Sequence, residues 1–337
     1  MRIGRRRVSG RRVILVLAAV AALAVVAYGS ATYLVYDHLS AVAPHCGGRF
    51  ASDTPASFGT EGISAEFTAA GFDTAPYAMP DYREVSFPSR DPRQPPLTIR
   101  AWWIPGPSAD APVVIVVHGH GSCRHDPLAL LPAGMLHRNG FSVLMMDMRD
   151  QGDSDIEDGR YAGGTEEYRD VLGAWDWLRG QGVPAERIGV VGESLGASTV
   201  LIAMAEEPGI AATWEDSGYA DIDVAISEEL ARNGYPGWLA PGGILWARIV
   251  AGDDLTVRNP LEEVEKIAAR PLQIVHGDAD RRVNVHHARD LAAVHARFVP
   301  GYEAWIVPGA THVQAAFAAP DEYERRIVTF FRGALGG

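Results

Sequence analysis

A serine between glycines stands at Gly192-Glu193-Ser194-Leu195-Gly196. Before it, the apolar run Ile188 to Val191 fits a short buried strand; after it, Leu195 to Met204 fits a helix packed on that strand. A strand that reverses this sharply into a helix leaves no room for side chains beside the turn, so glycines flank it and the serine Oγ projects from the sheet's edge. The chemistry this permits is nucleophilic attack by Ser194. The backbone N–H of Leu195, at the start of the helix, points to where an oxyanion would form. The same five residues also suit an ordinary strand-to-helix turn; the strand before and the helix after favour the nucleophile.

A hydroxyl is a poor nucleophile until an imidazole takes its proton, and the imidazole needs a carboxylate on its far nitrogen to fix its tautomer. Two later strands end in suitable residues. Pro271 to Val275 leads into His276-Gly277-Asp278-Ala279-Asp280, and Glu303 to Val307 into Pro308-Gly309-Ala310-Thr311-His312. Asp280 is the expected orienting acid, with Asp278 as the alternative, and His312 the expected base. His276, His286, His287 and His295 are its rivals; the last three lie in helical sequence, where surface positions are the default. Val113 to Val117 ends in His118-Gly119-His120-Gly121-Ser122, whose glycines let a backbone N–H face the serine's substrate. His120 is expected to donate that N–H, with Leu195 as its partner in the oxyanion hole. His118, His120, His125 and Asp126 distantly resemble a hydrolase zinc motif. Ser122 stands where that motif needs an acid, however, and the last histidine is displaced, so no metal is expected.

The elements that must position these residues alternate along the chain. Tyr82 to Pro88 and Leu97 to Ile104 read as antiparallel strands, and Phe141 to Met146 and Ile210 to Trp214 as further buried ones. Glu166 to Arg179, with Val171, Leu172, Trp175 and Leu178 at helical spacing, reads as an amphipathic helix. Asp321 to Phe331 reads as the closing helix. Residues 217–270 interrupt the alternation with helical pieces, Ala220 to Ala231 and Ile244 to Ala251, broken by Gly/Pro clusters. This insertion reads as a lid, and Trp238, Leu245 and Trp246 are its expected pocket-lining residues. Anchoring the lid to the core is an equal reading for them, and membrane contact a third.

Ahead of the domain, Val13 to Tyr36 carries no charged side chain and is long enough to cross a hydrocarbon core of about 30 Å. The reading is a basic cytoplasmic N-terminus over 1–12, a transmembrane helix or signal anchor over 13–36, a tether over 37–80 and the folded domain over 81–337. Arg2, Arg5, Arg6, Arg7, Arg11 and Arg12 precede the apolar run, which places the N-terminus inside and the domain outside. Ala41-Val42-Ala43 also resembles a signal cleavage site, which would make the protein secreted. The chain has 337 residues and a net charge of -12 despite those arginines, a balance that repels nucleic acid. Lys266 is its only lysine and sits in an acidic helical stretch, a poor candidate for amine catalysis. Cys46 and Cys123 are too few for a cysteine-based metal site or a disulfide framework, and two free thiols are favoured over one bridge.

From about Tyr82 onward the chain resembles the α/β-hydrolase superfamily, in the order Ser194, Asp280, His312. The His118-Gly119-His120-Gly121, Asp147-Met148-Arg149, Gly192-Glu193-Ser194-Leu195-Gly196, His276-Gly277-x-x-Asp280 and Gly309-Ala310-Thr311-His312 motifs are similar to its prolyl-oligopeptidase-like and serine-aminopeptidase-like branch. The resemblance implies a mostly parallel eight-stranded sheet with helices on both faces, a small helical lid, and a serine hydrolase needing no cofactor. One departure is Asp150, where the family's D-x-R-G-x-G-x-S pattern has glycine; aspartate tolerates the left-handed backbone such a turn requires. An ester of modest size is the leading substrate. A peptidase, drawing on Glu193, Glu228 or Glu229 to hold an amino terminus, and a catalytically silent membrane-tethered binding module are the alternatives.

Overall fold

A computed structural model describes residues 10–42, 44–69 and 71–336. Arginines 2, 5, 6 and 7 of the basic N-terminus, and Ala43 of the possible cleavage site, lie outside them.

Eight strands form one sheet: β1 (Arg83–Pro88), β2 (Thr98–Ile104), β3 (Val113–Val117), β4 (Ser142–Met146), β5 (Ile188–Glu193), β6 (Ala212–Asp216), β7 (Leu272–Gly277) and β8 (Trp305–Val307). Their order is β1-β2-β4-β3-β5-β6-β7-β8. The pairs β1·β2 and β2·β4 are antiparallel and the others parallel. Every residue of Val113–Val117 is buried, because a parallel strand covered on both faces has no solvent side. Among the described residues, nine longer helices accompany the sheet: α1 (Gly10–Ser40), α2 (Pro127–Arg138), α3 (Tyr168–Gly180), α4 (Leu195–Glu206), α5 (Ile222–Arg232), α6 (Ala240–Val250), α7 (Pro260–Ile267), α8 (His286–His295) and α9 (Pro320–Leu335). Helices α3, α4, α7 and α8 pack with Val113, Ile115 and Val117 on one face; α2 and α9 pack with Val114 and Val116 on the other.

Three expectations change here. The 37–80 stretch is not a free tether: α1 continues to Ser40, and Phe58, Tyr77 and Met79 of the stretch are buried in the α2/α9 face of the core. Cys46 and Cys123 are paired in a disulfide with Cα atoms 5.7 Å apart, since the docked stretch brings together residues 77 apart in sequence. The lid helix begins at Ala240, with Pro241 in its first turn, where a missing N–H costs nothing. At Gly242, inside α6, α1 comes close enough that a β-carbon there would overlap the Thr32 side chain.

Candidate active site

Ser194 follows β5 and caps α4 with φ 53° and ψ -117°, a conformation that side-chain-bearing residues rarely adopt and that a rigid frame must hold. The frame is close contact. A β-carbon at Gly196 would overlap the carbonyl oxygens of Val117 and His118, so the start of α4 lies directly on the end of β3. A β-carbon at Gly119 would come within 3.1 Å of the Ser194 Cβ.

The structure brings Ser194, His312 and Asp280 together. His312 Nε2 lies 2.8 Å from Ser194 Oγ, and His312 Nδ1 lies 2.7 Å from Asp280 Oδ2. With Nδ1–H donating to the carboxylate, Nε2 is left as acceptor for the hydroxyl, the arrangement that lets an imidazole take its proton. Asp280 is also fixed by its other oxygen, which accepts the Arg282 and Val283 N–H groups at 2.8 and 3.0 Å. Burial opposes its charge, but hydrogen bonds from His276 and His312 outweigh that and hold the carboxyl well below its usual range. Asp278 points elsewhere, accepting the Gly309 N–H at 2.6 Å. The loop carrying His312 is held by Ser217, whose Oγ accepts the Val313 N–H at 3.2 Å, and by Ser64 of the docked stretch, whose N–H donates to Gln314 Oε1 at 2.9 Å.

The N–H groups of His120 and Leu195 have no hydrogen-bond acceptor among the described residues, and both residues line the cavity above Ser194. The His120 ring packs on Tyr161 at 4.4 Å; burial, aided by the Arg282 charge, pushes its pKa down to about 4 and keeps it neutral. His118 is spoken for, since Nδ1 donates to the Gly119 carbonyl at 2.8 Å and Nε2 accepts the Met148 N–H at 3.1 Å.

His276 is the neighbour that sequence reasoning treated only as a rival. Its Nε2 lies 2.8 Å from the Val283 carbonyl and 3.3 Å from Asp280 Oδ2, so it braces the acid rather than replacing His312. His287 and His295 are buried, against the expectation of surface positions, because that side of α8 packs on the domain. Glu228, His286 and His287 gather their polar atoms within 4.8 Å. The Ala220 N–H donates to His287 Nδ1 at 3.1 Å, which puts that ring's proton on Nε2, facing Glu228, and leaves no lone pair there for a cation.

The cavity over Ser194 holds about 270 Å³. Ile222, Ile226 and Leu230 of α5 form one wall, and Leu239, Ala240 and Gly243 another. Val35, Tyr36 and Leu39 of α1 form a third, which the sequence did not signal. Trp238, Leu245 and Trp246 do not line it. Positions 240, 243 and 247 make the inward stripe of α6, so Leu245 is 54% exposed. Trp238 stacks on Tyr28 at 5.7 Å, and Trp246 donates its Nε1–H to the Gly29 carbonyl at 2.9 Å. These tryptophans serve the α1 contact.

Asp150 takes the left-handed backbone at φ 63°, and its Oδ1 accepts N–H groups from Glu157, Asp158 and Gly159. The residue that departs from the family pattern thus keeps the turn and adds a clamp a glycine lacks. Asp147 and Arg149 brace in the same way, through Arg124 at 2.8 Å and Asp170 at 2.8 Å.

The prolyl oligopeptidase family model matches residues 133–337. The chain belongs to the prolyl oligopeptidase family. Among curated proteins, an uncharacterized 31.7 kDa protein of Escherichia coli from the traX-finO intergenic region is 29% identical over 130 residues, 38% of this chain and 44% of that protein. Among solved structures, an esterase of Pyrococcus furiosus superposes with a TM-score of 0.61 at 23% identity, over 79% of this chain and 97% of its own. An acylaminoacyl peptidase of Pyrococcus horikoshii gives 0.54 at 19%, over 75% of this chain and 41% of its own. At such identities these neighbours show the α/β-hydrolase fold.

Glu215, on β6 beside the strand that leads to Ser194, supplies a pH test independent of turnover. Burial, with Asp216 adding to it, pushes its pKa from 4.5 to about 8. The folded state therefore keeps a proton that the unfolded chain releases between those values, and stability falls as pH rises through that window, by at most about 1.4 kcal/mol per unit. Glu215→Gln keeps an acceptor for the Gly218 N–H, which now lies 2.6 Å from Oε1. Thermal midpoints from pH 5 to 8 should decline less steeply in the variant; parallel curves would assign the slope to other groups.

Proposed function

We propose that the protein is a membrane-anchored serine hydrolase that cleaves carboxylic esters by acyl transfer. The observation carrying this reading is the relay of Ser194, His312 and Asp280 at 2.8 and 2.7 Å beneath an apolar cavity. Ser194 Oγ attacks the ester carbonyl while His312 Nε2 takes its proton, and Asp280 stabilises the imidazolium. The His120 and Leu195 amides hold the oxyanion. Collapse expels the alcohol, protonated by His312, and a water activated by the same imidazole then frees the acid and restores the serine.

Ester is favoured over peptide by the state of the three candidate acids. Glu193 is buried at 2% exposure, and Glu228 is engaged by His286 at 2.8 Å. Glu229 reaches the cavity but is already paired with Arg232, at 2.8 Å, and Asn233, at 3.0 Å. Glu193 has an unpartnered Oε1 but does not line the cavity, and neither does Glu228, so none of the three is both free and within a substrate's reach. In this reading α1 is retained as a single-pass anchor with its arginines inside and the domain outside, where an oxidising compartment suits the Cys46–Cys123 bridge.

A fluorophosphonate probe should label the folded protein at Ser194, and nitrophenyl acyl esters should be turned over much faster than aminoacyl anilides. A preference for the anilides would make it a peptidase. Absence of labelling would make it a silent binding module.

A further inference from the structure

The N-terminal two-thirds of α1 stands clear of the domain with apolar side chains bare, Val13 to Val26 among them. A hydrocarbon core of about 30 Å takes about 20 residues of helix. Counted from Arg12, the last charge before the run, it ends near Thr32. Helix α6 meets α1 at that level: Gly242 lies against Thr32, and the Trp246 Nε1–H reaches Gly29 O and Thr32 Oγ1. Tyr28 stacks on Trp238 and Tyr33 packs edge-on to Trp246 at 5.2 Å. Four amphipathic rings thus gather where hydrocarbon gives way to headgroups, the depth at which Trp and Tyr concentrate in membrane proteins.

The other side of α6 is largely exposed and mostly apolar, with Arg248 there paired to Asp254. Leu245, Ile249 and Val250 are 54, 60 and 46% exposed, and Trp238 just before them 65%. This apolar face continues the lipid-facing surface of α1 at the same depth, and that continuity makes the bilayer its occupant. The cavity opens just above. Its α1 wall begins at Val35, about 4.5 Å of helix beyond Thr32, its α6 wall is Ala240 and Gly243, and Ser194 lies in it. At about 270 Å³ it sits at the small end of ligand pockets.

We propose that α6 is a lid helix seated in the outer leaflet, and that single-chain lipid esters pass from that leaflet along the α1–α6 seam to Ser194. The proposal rests on the ester-hydrolase reading and narrows its substrate. The acyl carbon moves from the lipid's alcohol oxygen to Ser194 Oγ, and the alcohol leaves with the serine's proton. Water then supplies hydroxide to the acyl group and a proton to the serine, giving a free fatty acid.

The test uses the full chain reconstituted in phosphatidylcholine vesicles and two substrates, soluble nitrophenyl acetate and monooleoylglycerol dissolved in the vesicle membrane. Both should be hydrolysed. In Leu245→Glu/Ile249→Glu, which keeps the anchor, the rate on monooleoylglycerol relative to nitrophenyl acetate should fall about tenfold or more, since charges at that depth oppose insertion. Dibrominated phosphatidylcholine should quench the wild-type tryptophan fluorescence, and Trp238→Phe should lose part of that quenching. An unchanged ratio in the double variant, or quenching that ignores Trp238, overturns the lid proposal while nitrophenyl acetate turnover leaves the ester reading standing. Hydrolysis of nitrophenyl acetate but not of monooleoylglycerol by the wild type overturns the lid proposal alone, and failure on both substrates overturns the ester reading and the lid proposal with it.

Discussion

Asp280→Asn is expected to lower kcat on a soluble ester by about 10⁴-fold while leaving the protein folded. The asparagine oxygen can keep the Arg282 and Val283 N–H groups that now sit 2.8 and 3.0 Å from Oδ1. Its NH₂ must then face His312 Nδ1 and His276 Nε2, where the carboxylate accepted. Donor meets donor unless His312 adopts the other tautomer, with its proton on Nε2, aimed at Ser194. That imidazole has no lone pair for the hydroxyl, so the nucleophile is lost although every atom of the site keeps its place. KM should change little, because Asp280 does not line the cavity, and the thermal midpoint should stay within a few degrees. A loss below tenfold would mean that His312 is not oriented from this side, and the relay would then not be the basis of activity.

How the site became readable follows from where its residues sit. A parallel strand buried on both faces leaves an unbroken apolar run, so each strand from Val113–Val117 onward marks its own C-terminal end, and Ser194, Asp280 and His312 all lie just past such ends. Helix α2 left no such trace. No expectation covered it, although Pro127 sits at the helix start and Asp126 caps it by accepting the Leu128 N–H. The docked 41–80 stretch was equally silent, for Phe50, Phe58, Tyr77 and Met79 are buried singly and make no periodic pattern. The pocket was hidden for a third reason. Helical spacing separates one side of α6 from the other but does not say which meets the cavity and which meets α1, and that choice put Trp238, Leu245 and Trp246 on the wrong side. Val35, Tyr36 and Leu39 look like the end of an anchor, and only their burial against α5 and Leu239 gives them a place in the site.

The second large effect is expected from opening the Cys46–Cys123 bridge. It closes a loop of 77 residues, and in the chain-entropy account a loop of that length stabilises the folded state by about 4 kcal/mol. Its position makes the loss more than entropic. Cys123 follows the turn that carries His120 by three residues, and Arg49, three residues after Cys46, donates to the Gly121 carbonyl. Further along the same stretch, Ser64 donates to Gln314, two residues past His312. The stretch therefore clasps the His120 turn and the His312 loop at once, and it joins them to α1, whose Asp37 and Ser40 are held by Arg160 at 2.6 and 2.7 Å. In Cys46→Ser/Cys123→Ser the urea midpoint should fall by an amount equivalent to about 4 kcal/mol. Ester turnover should fall at urea concentrations where tryptophan fluorescence still reports a folded sheet, because the clasp loosens before the core does. Coincident loss of activity and fluorescence would show that the stretch unfolds with the core. An unchanged midpoint would show that the bridge constrains nothing the unfolded chain does not already lack.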